Sequence, residues 1–277
     1  MRQTEGSMLC PRCGKLIGVN EERCPFCGAW RPGMFGYMPM FRRGFAQLDF
    51  TRIIIASCGA LYLVSLLLQP SAIFNSNGIF NILSPSGRAL YQLGMTGGAS
   101  WHLHYWWTLL TAIYLHGSLM HIFFNLMVVW NVAPAVANVY GPARTFVIWT
   151  VAGAAGFLVS NLITASPSVG ASGSVFGLFA ALIVYGRRVH HSVLTAQIWQ
   201  WVILNFVIGF FISNVNVVAH AGGFVGGWLA SMAVHLDSER RESLAVQGLA
   251  GALVLATLAG FALSFVKVTA LLSHAGG

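Results

Sequence analysis

Ser172 lies in SVGASGSVFG, residues 168–177, a hydroxyl set among glycines in a strongly apolar stretch. A serine hydroxyl becomes a useful nucleophile only when a base sits within hydrogen-bond reach. The same stretch is equally readable as packing, because small residues spaced like Gly173 and Gly177 let two membrane helices touch. Three imidazoles and an amide occur in similar surroundings. His116, His121 and Asn125 fall in LHGSLMHIFFNL, and His220 opens VVAHAGGFVGG. Such side chains are costly in lipid and are functional candidates by default. Each also has a bland reading: a helix N-cap for Ser172, a backbone-satisfied imidazole for His220, interhelical glue for His121 and Asn125, a water-interface position for His116.

A second chemistry sits at the N-terminus. In CPRCGKLIGVNEERCPFCG, the cysteines Cys10, Cys13, Cys24 and Cys27 form two C-x-x-C knuckles ten residues apart. Four thiolates so spaced suit tetrahedral zinc, as in a zinc ribbon. Two disulfides or a redox dithiol are the alternatives, but a segment this small lacks a core and needs a staple, and the doubled knuckle fits zinc better. Reduced thiolates imply a reducing compartment and hence a cytosolic N-terminus.

The elements that must carry these groups are membrane spans. Of the 277 residues, 56% are hydrophobic and 8% charged, far below the ~25% charge of soluble domains. Apolar runs predict spans near 53–68, 117–138, 145–164, 171–186, 197–213, 217–235 and 246–266. The stretch from 70 to 115 is too interrupted to cross, and its Trp101, Trp106 and Trp107 suit a membrane interface. With the N-terminus inside, only Arg88 and Lys267 of the 15 Lys and Arg fall outside, as the positive-inside rule requires. The +8 net charge is therefore a topology signal. Nucleic acid is an unlikely partner; Arg42, Arg43 and Arg52 suit anionic headgroups instead.

No Asp or Glu occurs between Asp49 and Asp237. That excludes an aspartyl dyad, an HExxH zinc site, a Ser-His-Asp triad and a carboxylate proton relay of the transporter kind from the membrane core. The predicted topology sets Ser172, His220, His121 and Asn125 at one depth in the outer leaflet, on three helices running the same way. Gly222, Gly223, Gly226 and Gly227, with Gly173 and Gly177, would bring the fourth and sixth spans close. Taken together, these residues point to catalysis.

HGSLMHIFFNL, GASGSVFG and AHAGGFVGG, in that order, resemble the rhomboid family of intramembrane serine proteases over about residues 50–236. The resemblance implies Ser172 as nucleophile, His220 as its base, and an oxyanion pocket from His121, Asn125 and the Ser172 backbone N–H, with His116 matching the family's first histidine. It also implies transmembrane protein substrates and no catalytic cofactor. The span after residue 245 resembles the six-plus-one form. Thr108 stands where the family usually has arginine, and Ala137 where a glutamate is common. Phe176 takes the place of the tyrosine that often stacks on the catalytic histidine.

The expected architecture is an all-α polytopic membrane protein. It comprises a zinc ribbon (1–30), a basic and aromatic linker (31–52), a rhomboid-like six-helix core (53–236), and a cytosolic loop with a seventh span (237–277). The C-terminus is expected outside and the setting is a bacterial cell membrane. Two readings compete for the core: a protease, or a catalytically weak relative that binds transmembrane clients. The ribbon is expected to dock a cytosolic protein partner.

Overall fold

The computed structural model describes residues 3–38, 49–71, 78, 81–211, 215–234 and 242–275. Arg42 and Arg43 of the linker, and Asp237, Glu239, Arg240 and Arg241, lie outside the described residues.

The N-terminal segment is a small hairpin with its own core. Strand β1 (Ser7–Leu9) pairs antiparallel with β2 (Leu16–Gly18), placing Met8 opposite Ile17. Strand side chains alternate between faces, so Met8 and Ile17 turn inward together while their neighbours are more exposed. Val19 and Met38 complete this core with the cysteines, so its packing reaches past residue 30.

Helix α1 (Phe50–Leu67) starts at Asp49, whose carboxylate accepts the Arg52 N–H at 3.1 Å. The interrupted stretch that follows folds into short helices α2 (Gly87–Gln92), α3 (Gly98–His102) and α4 (Thr108–Thr111). Next come α5 (Leu119–Tyr140), capped by Ser118, and α6 (Pro142–Ile163), which begins on a proline. Helices α7 (Ser172–Arg188), α8 (Ser192–Phe211), α9 (Val217–Ala233) and α10 (Leu244–Ala275) complete the order.

Among the described residues, five helices are long and apolar enough to cross a membrane: α1, α5, α6, α8 and α10. The other two expected spans, α7 and α9, have 17 residues each. At 1.5 Å rise per residue each is about 25 Å long, short of a ~30 Å hydrocarbon core. Helix α7 is also the centre of the bundle. Every residue from Gly173 to Val184 is buried, the signature of a helix packed on all sides. Helix α8 is its opposite, with only Val202 and Gly209 buried. The two helices carrying Ser172 and His220 are thus the short ones, and α7 is shielded by the rest.

Helix α10 and a residue just before its start clasp the core at both ends. Trp107 Nε1 donates to Ser264 at 2.8 Å and Gln92 to Thr269 at 3.3 Å, so the indole edge of Trp107 faces α10. Glu242, just before α10, accepts the Arg144 N–H at 2.8 Å and so caps α6. Thr108, in the arginine position, bonds the Tyr105 carbonyl at 2.7 Å and Thr96 at 3.1 Å, holding the loop locally.

Candidate active site

Ser172 is the first residue of α7, with Ala171 at the cap position, so the serine side chain is not the helix cap. The residue that touches the neighbouring helix is the glycine beside it. A methyl on Gly173 would sit 3.3 Å from the Ala219 carbonyl of α9. A methyl on Gly223 would run into the Gly173 backbone, and one on Gly227 into that of Gly177. No side chain separates α7 from α9 there.

The glycine row on α9 divides between two partners. Gly223 and Gly227 face α7, as the sequence suggested. Gly222 and Gly226 face α6 instead: a methyl on Gly222 would meet Gly156 Cα at 3.1 Å, and one on Gly226 Ala152 Cα at 3.4 Å. Adjacent helical residues point about 100° apart, so two consecutive glycines cannot serve the same neighbour. The overlapping pattern lets α9 wedge between α6 and α7.

His220 is buried in the first turn of α9, its N–H bonded to the Asn216 carbonyl at 3.2 Å. Its ring stacks on Phe176, with centroids 4.5 Å apart and planes inclined by 18°. Phe176 lies four residues after Ser172, on the same face of α7. The imidazole is therefore held against the face that presents the serine. The structure does not close a Ser172–His220 hydrogen bond, and among the described residues His220 Nδ1 has no partner. Phe206 of α8 packs edge-on against Phe176 at 6.1 Å, backing it from the other side.

His121 enters through the loop before Ser172. A methyl on Gly170, whose φ is +131°, would lie 2.7 Å from His121 Nε2, so that backbone runs directly over the ring. The other ring nitrogen, Nδ1, accepts the Gly117 N–H at 3.3 Å. An amide nitrogen can only donate, so in the neutral ring the proton belongs on Nε2, the atom facing the loop. Asn125 turns back along its own helix, its amide donating to the His121 carbonyl at 2.9 Å. His116 corrects the interface reading. It is 0% exposed, packed edge-on against His121 at 5.2 Å, and among the described residues neither ring nitrogen has a hydrogen-bond partner. His116 is thus enclosed beside His121, whose other side is covered by the Gly170 backbone.

Sequence reasoning missed a polar network beneath these groups. Asn216 caps α9 and also reaches Ser160 and Ser168, while Asn161 donates to Thr96 at 2.9 Å. An Asn just before a predicted span is a start signal that marked the cap, but nothing in the sequence marked its partners.

The cysteines converge separately. All four Sγ atoms lie within 4.8 Å of one another, with Cys10–Cys27 at 3.7 Å and Cys13–Cys24 at 3.6 Å. Each knuckle closes alike: Gly14 N–H bonds Cys10 O and Gly28 N–H bonds Cys24 O, both at 2.9 Å. Gly14 and Gly28 have φ of 73° and 69°, a region where glycine alone is unstrained. Zn–S bonds of ~2.3 Å put tetrahedral sulfurs about 3.8 Å apart, so the set is close enough to hold an ion.

A rhomboid domain matches residues 103–237, which contain Ser172, His220, His121 and Asn125. The chain is 34% identical over 159 residues to rhomboid protease GluP of Bacillus subtilis (strain 168), covering 56% of this chain and 31% of GluP. It is 31% identical over 160 residues to YdcA of the same strain, named as a candidate rhomboid protease, covering 54% of this chain and 75% of YdcA. The chain belongs to the rhomboid family. With its apolar helices, that makes it a multi-pass membrane protein. Another rhomboid relative, inactive RHOMBOID-like protein 8 of Arabidopsis thaliana, is 31% identical over 159 residues, covering 52% of this chain and 43% of that protein. Family membership alone therefore does not decide activity, and the chain spans under a third of GluP. The ribbon and α10 lie outside the matched rhomboid domain.

Proposed function

We propose that the chain is an intramembrane serine endopeptidase that cleaves transmembrane protein substrates by a Ser172–His220 dyad. The observation that carries this reading is the stacking of His220 on Phe176, one turn along α7 from Ser172, at a helix contact made only of glycine backbone. A ring nitrogen of neutral His220 takes the Ser172 proton as Oγ attacks the scissile carbonyl carbon. It then delivers that proton to the leaving amine, and water repeats the cycle on the acyl-enzyme. No carboxylate orients the imidazole; Phe176 does so by packing.

The oxyanion is received by His121 Nε2–H and the Ser172 backbone N–H. Asn125 joins them only by giving up its bond to the His121 carbonyl. Deleting one such donor costs a factor of about 10²–10³ in rate. His116, enclosed beside His121, supports that ring rather than the oxyanion. The N-terminus is cytosolic, the C-terminus is outside and the membrane is a bacterial cell membrane. Arg187 and Arg188 end α7 at the inner surface, and its length of about 25 Å then leaves Ser172 below the outer surface, within reach of a substrate helix. Substrates must unwind locally there, since a helical backbone shields its carbonyls; glycine near the cut favours this.

The four cysteines hold a structural zinc that folds the ribbon and plays no part in peptide cleavage. The exposed Phe26, Trp30 and Phe35 support docking of a cytosolic protein partner.

A second reading, client binding without cleavage, is favoured by the lack of a Ser172–His220 hydrogen bond among the described residues and by the inactive relative. One experiment separates them. A fluorophosphonate probe labels the purified wild type and not Ser172→Ala if the dyad is real. Labelling that survives Ser172→Ala points to another nucleophile, and no labelling of the wild type supports the binding role.

A further inference from the structure

Asn216 occupies a node that the dyad itself does not explain. Its Oδ1 accepts the Ala219 N–H at 3.0 Å, which caps α9 one turn before His220. Its amide nitrogen has two hydrogens and spends both on buried hydroxyls. One goes to Ser160 near the end of α6, at 2.6 Å, and the other to Ser168 at 2.8 Å. Ser160 is 0% and Ser168 8% exposed. Ser168 lies four residues before Ser172 and is itself fixed: it exchanges both backbone bonds with Thr96, at 3.2 and 2.9 Å. Thr96 in turn accepts from Asn161 of α6 and is hydrogen-bonded to the Thr108 hydroxyl of α4.

We propose that Asn216 is a positioning residue that locks the segment carrying His220 to the segment carrying Ser172; this rests on the serine–histidine reading above. The amide shows why. A helix cap needs only an acceptor oxygen, and serine or aspartate supplies one as well as asparagine does. What asparagine adds is a pair of N–H donors on the same rigid plane, each meeting a hydroxyl on a different segment. His220 follows the cap by one turn and Ser172 follows Ser168 by four residues. Any slip of Asn216 against Ser168 is therefore passed to the distance between base and nucleophile. That distance depends on the glycine contact of α7 with α9 for closeness and on the Asn216 clamp for register. A misplacement of about 1 Å is enough to cost roughly 10²-fold in rate.

The cap and the clamp are separated by choice of side chain. Asn216→Ser keeps an acceptor for the Ala219 N–H but is too short to reach both Ser160 and Ser168. Asn216→Ala loses cap and clamp together. The double substitution Ser160→Ala with Ser168→Ala removes the clamp's acceptors and leaves the cap intact. The full-length protein in detergent is assayed for its rate of fluorophosphonate labelling, for kcat and KM on a transmembrane reporter, and for its melting temperature. The expected result is that Asn216→Ser and the double serine variant melt near the wild type, label at least about tenfold more slowly, and lose kcat with KM unchanged. The proposal is overturned if Asn216→Ser labels at the wild-type rate while Asn216→Ala is slowed, since the cap alone then matters. It is also overturned if the slowed variants regain full rate on cooling, in step with recovered folding. Wild type that is not labelled at all removes the serine–histidine reading and this inference with it; a labelled wild type with an unaffected Asn216→Ser removes this inference alone.

Discussion

Gly223→Ala is the most direct probe of how the site is assembled. The added methyl would lie 2.7 Å from Gly173 Cα, with the Gly173 carbonyl oxygen closer still. Non-bonded carbons rest at about 3.5–4.0 Å, so α7 and α9 must part by about 1 Å. Overpacking of this kind costs about 1–3 kcal/mol of stability. The same displacement acts on His220, three residues away, and on Ser172, adjacent to Gly173. The expected fall in rate is therefore about 100-fold, beyond what lost stability explains. Fluorophosphonate labelling kinetics on folded protein read this directly, with circular dichroism melting alongside. Gly222→Ala is the matched comparison: its methyl strikes Val159 Cβ at 2.9 Å and Gly156 Cα at 3.1 Å on α6, so it loses comparable stability but less rate. Gly248→Ala has nothing within 4 Å and is expected to be silent. A Gly223→Ala protein that labels within twofold of the wild type, or a Gly222→Ala protein that is slowed equally, refutes the assignment of the α7–α9 contact as the determinant of the dyad.

Phe176→Leu removes the stacked ring behind His220 and is expected to lower kcat about tenfold with KM little changed, whereas Phe176→Tyr retains the ring and the rate. His121→Ala is expected to lower the rate by about 10²–10³, and Asn125→Ala by less, because its amide is already engaged by the His121 carbonyl; steady-state kinetics on a transmembrane reporter rank the two. Elemental analysis of the purified chain is expected to find one zinc per molecule, lost on Cys24→Ser, while deletion of residues 1–30 leaves Ser172 labelling intact. Burial raises the Glu242 carboxyl above its ordinary value of 4.5, against the lowering effect of the Arg144 and Ala143 N–H groups and the Arg144 charge. The folded state then binds the proton more readily than the unfolded chain, so this residue's contribution to stability declines as pH rises from about 4.5 upward. Glu242→Gln is expected to flatten that decline and Glu242→Ala to cost about 1 kcal/mol as a lost cap, both measured by melting across pH.

The candidate catalytic groups were legible in the chain because their surroundings made them expensive. A serine, histidines and an asparagine in a core with no carboxylate have few structural reasons to be there, and the predicted spans set them at one expected depth. The cysteine knuckles were equally plain, since two C-x-x-C units fix four sulfurs by local geometry alone. Tertiary structure decided the rest. Which glycine faces which helix depends on rotation about the α9 axis, and a GxxxG pattern does not record that. His116 is buried beside His121, whose ring is covered by the Gly170 backbone of the loop before Ser172, a contact between segments about fifty residues apart. Asn216 could be read as a helix start, but its two hydroxyl partners come from α6 and the preceding loop, brought together only by packing. The same holds for Glu242 and Ser264, which let α10 and a residue just before it hold the core from both ends. Local rules specify side-chain chemistry; they do not specify the neighbour across an interface, and in this protein the placement of His220 beside Phe176 is set by such neighbours.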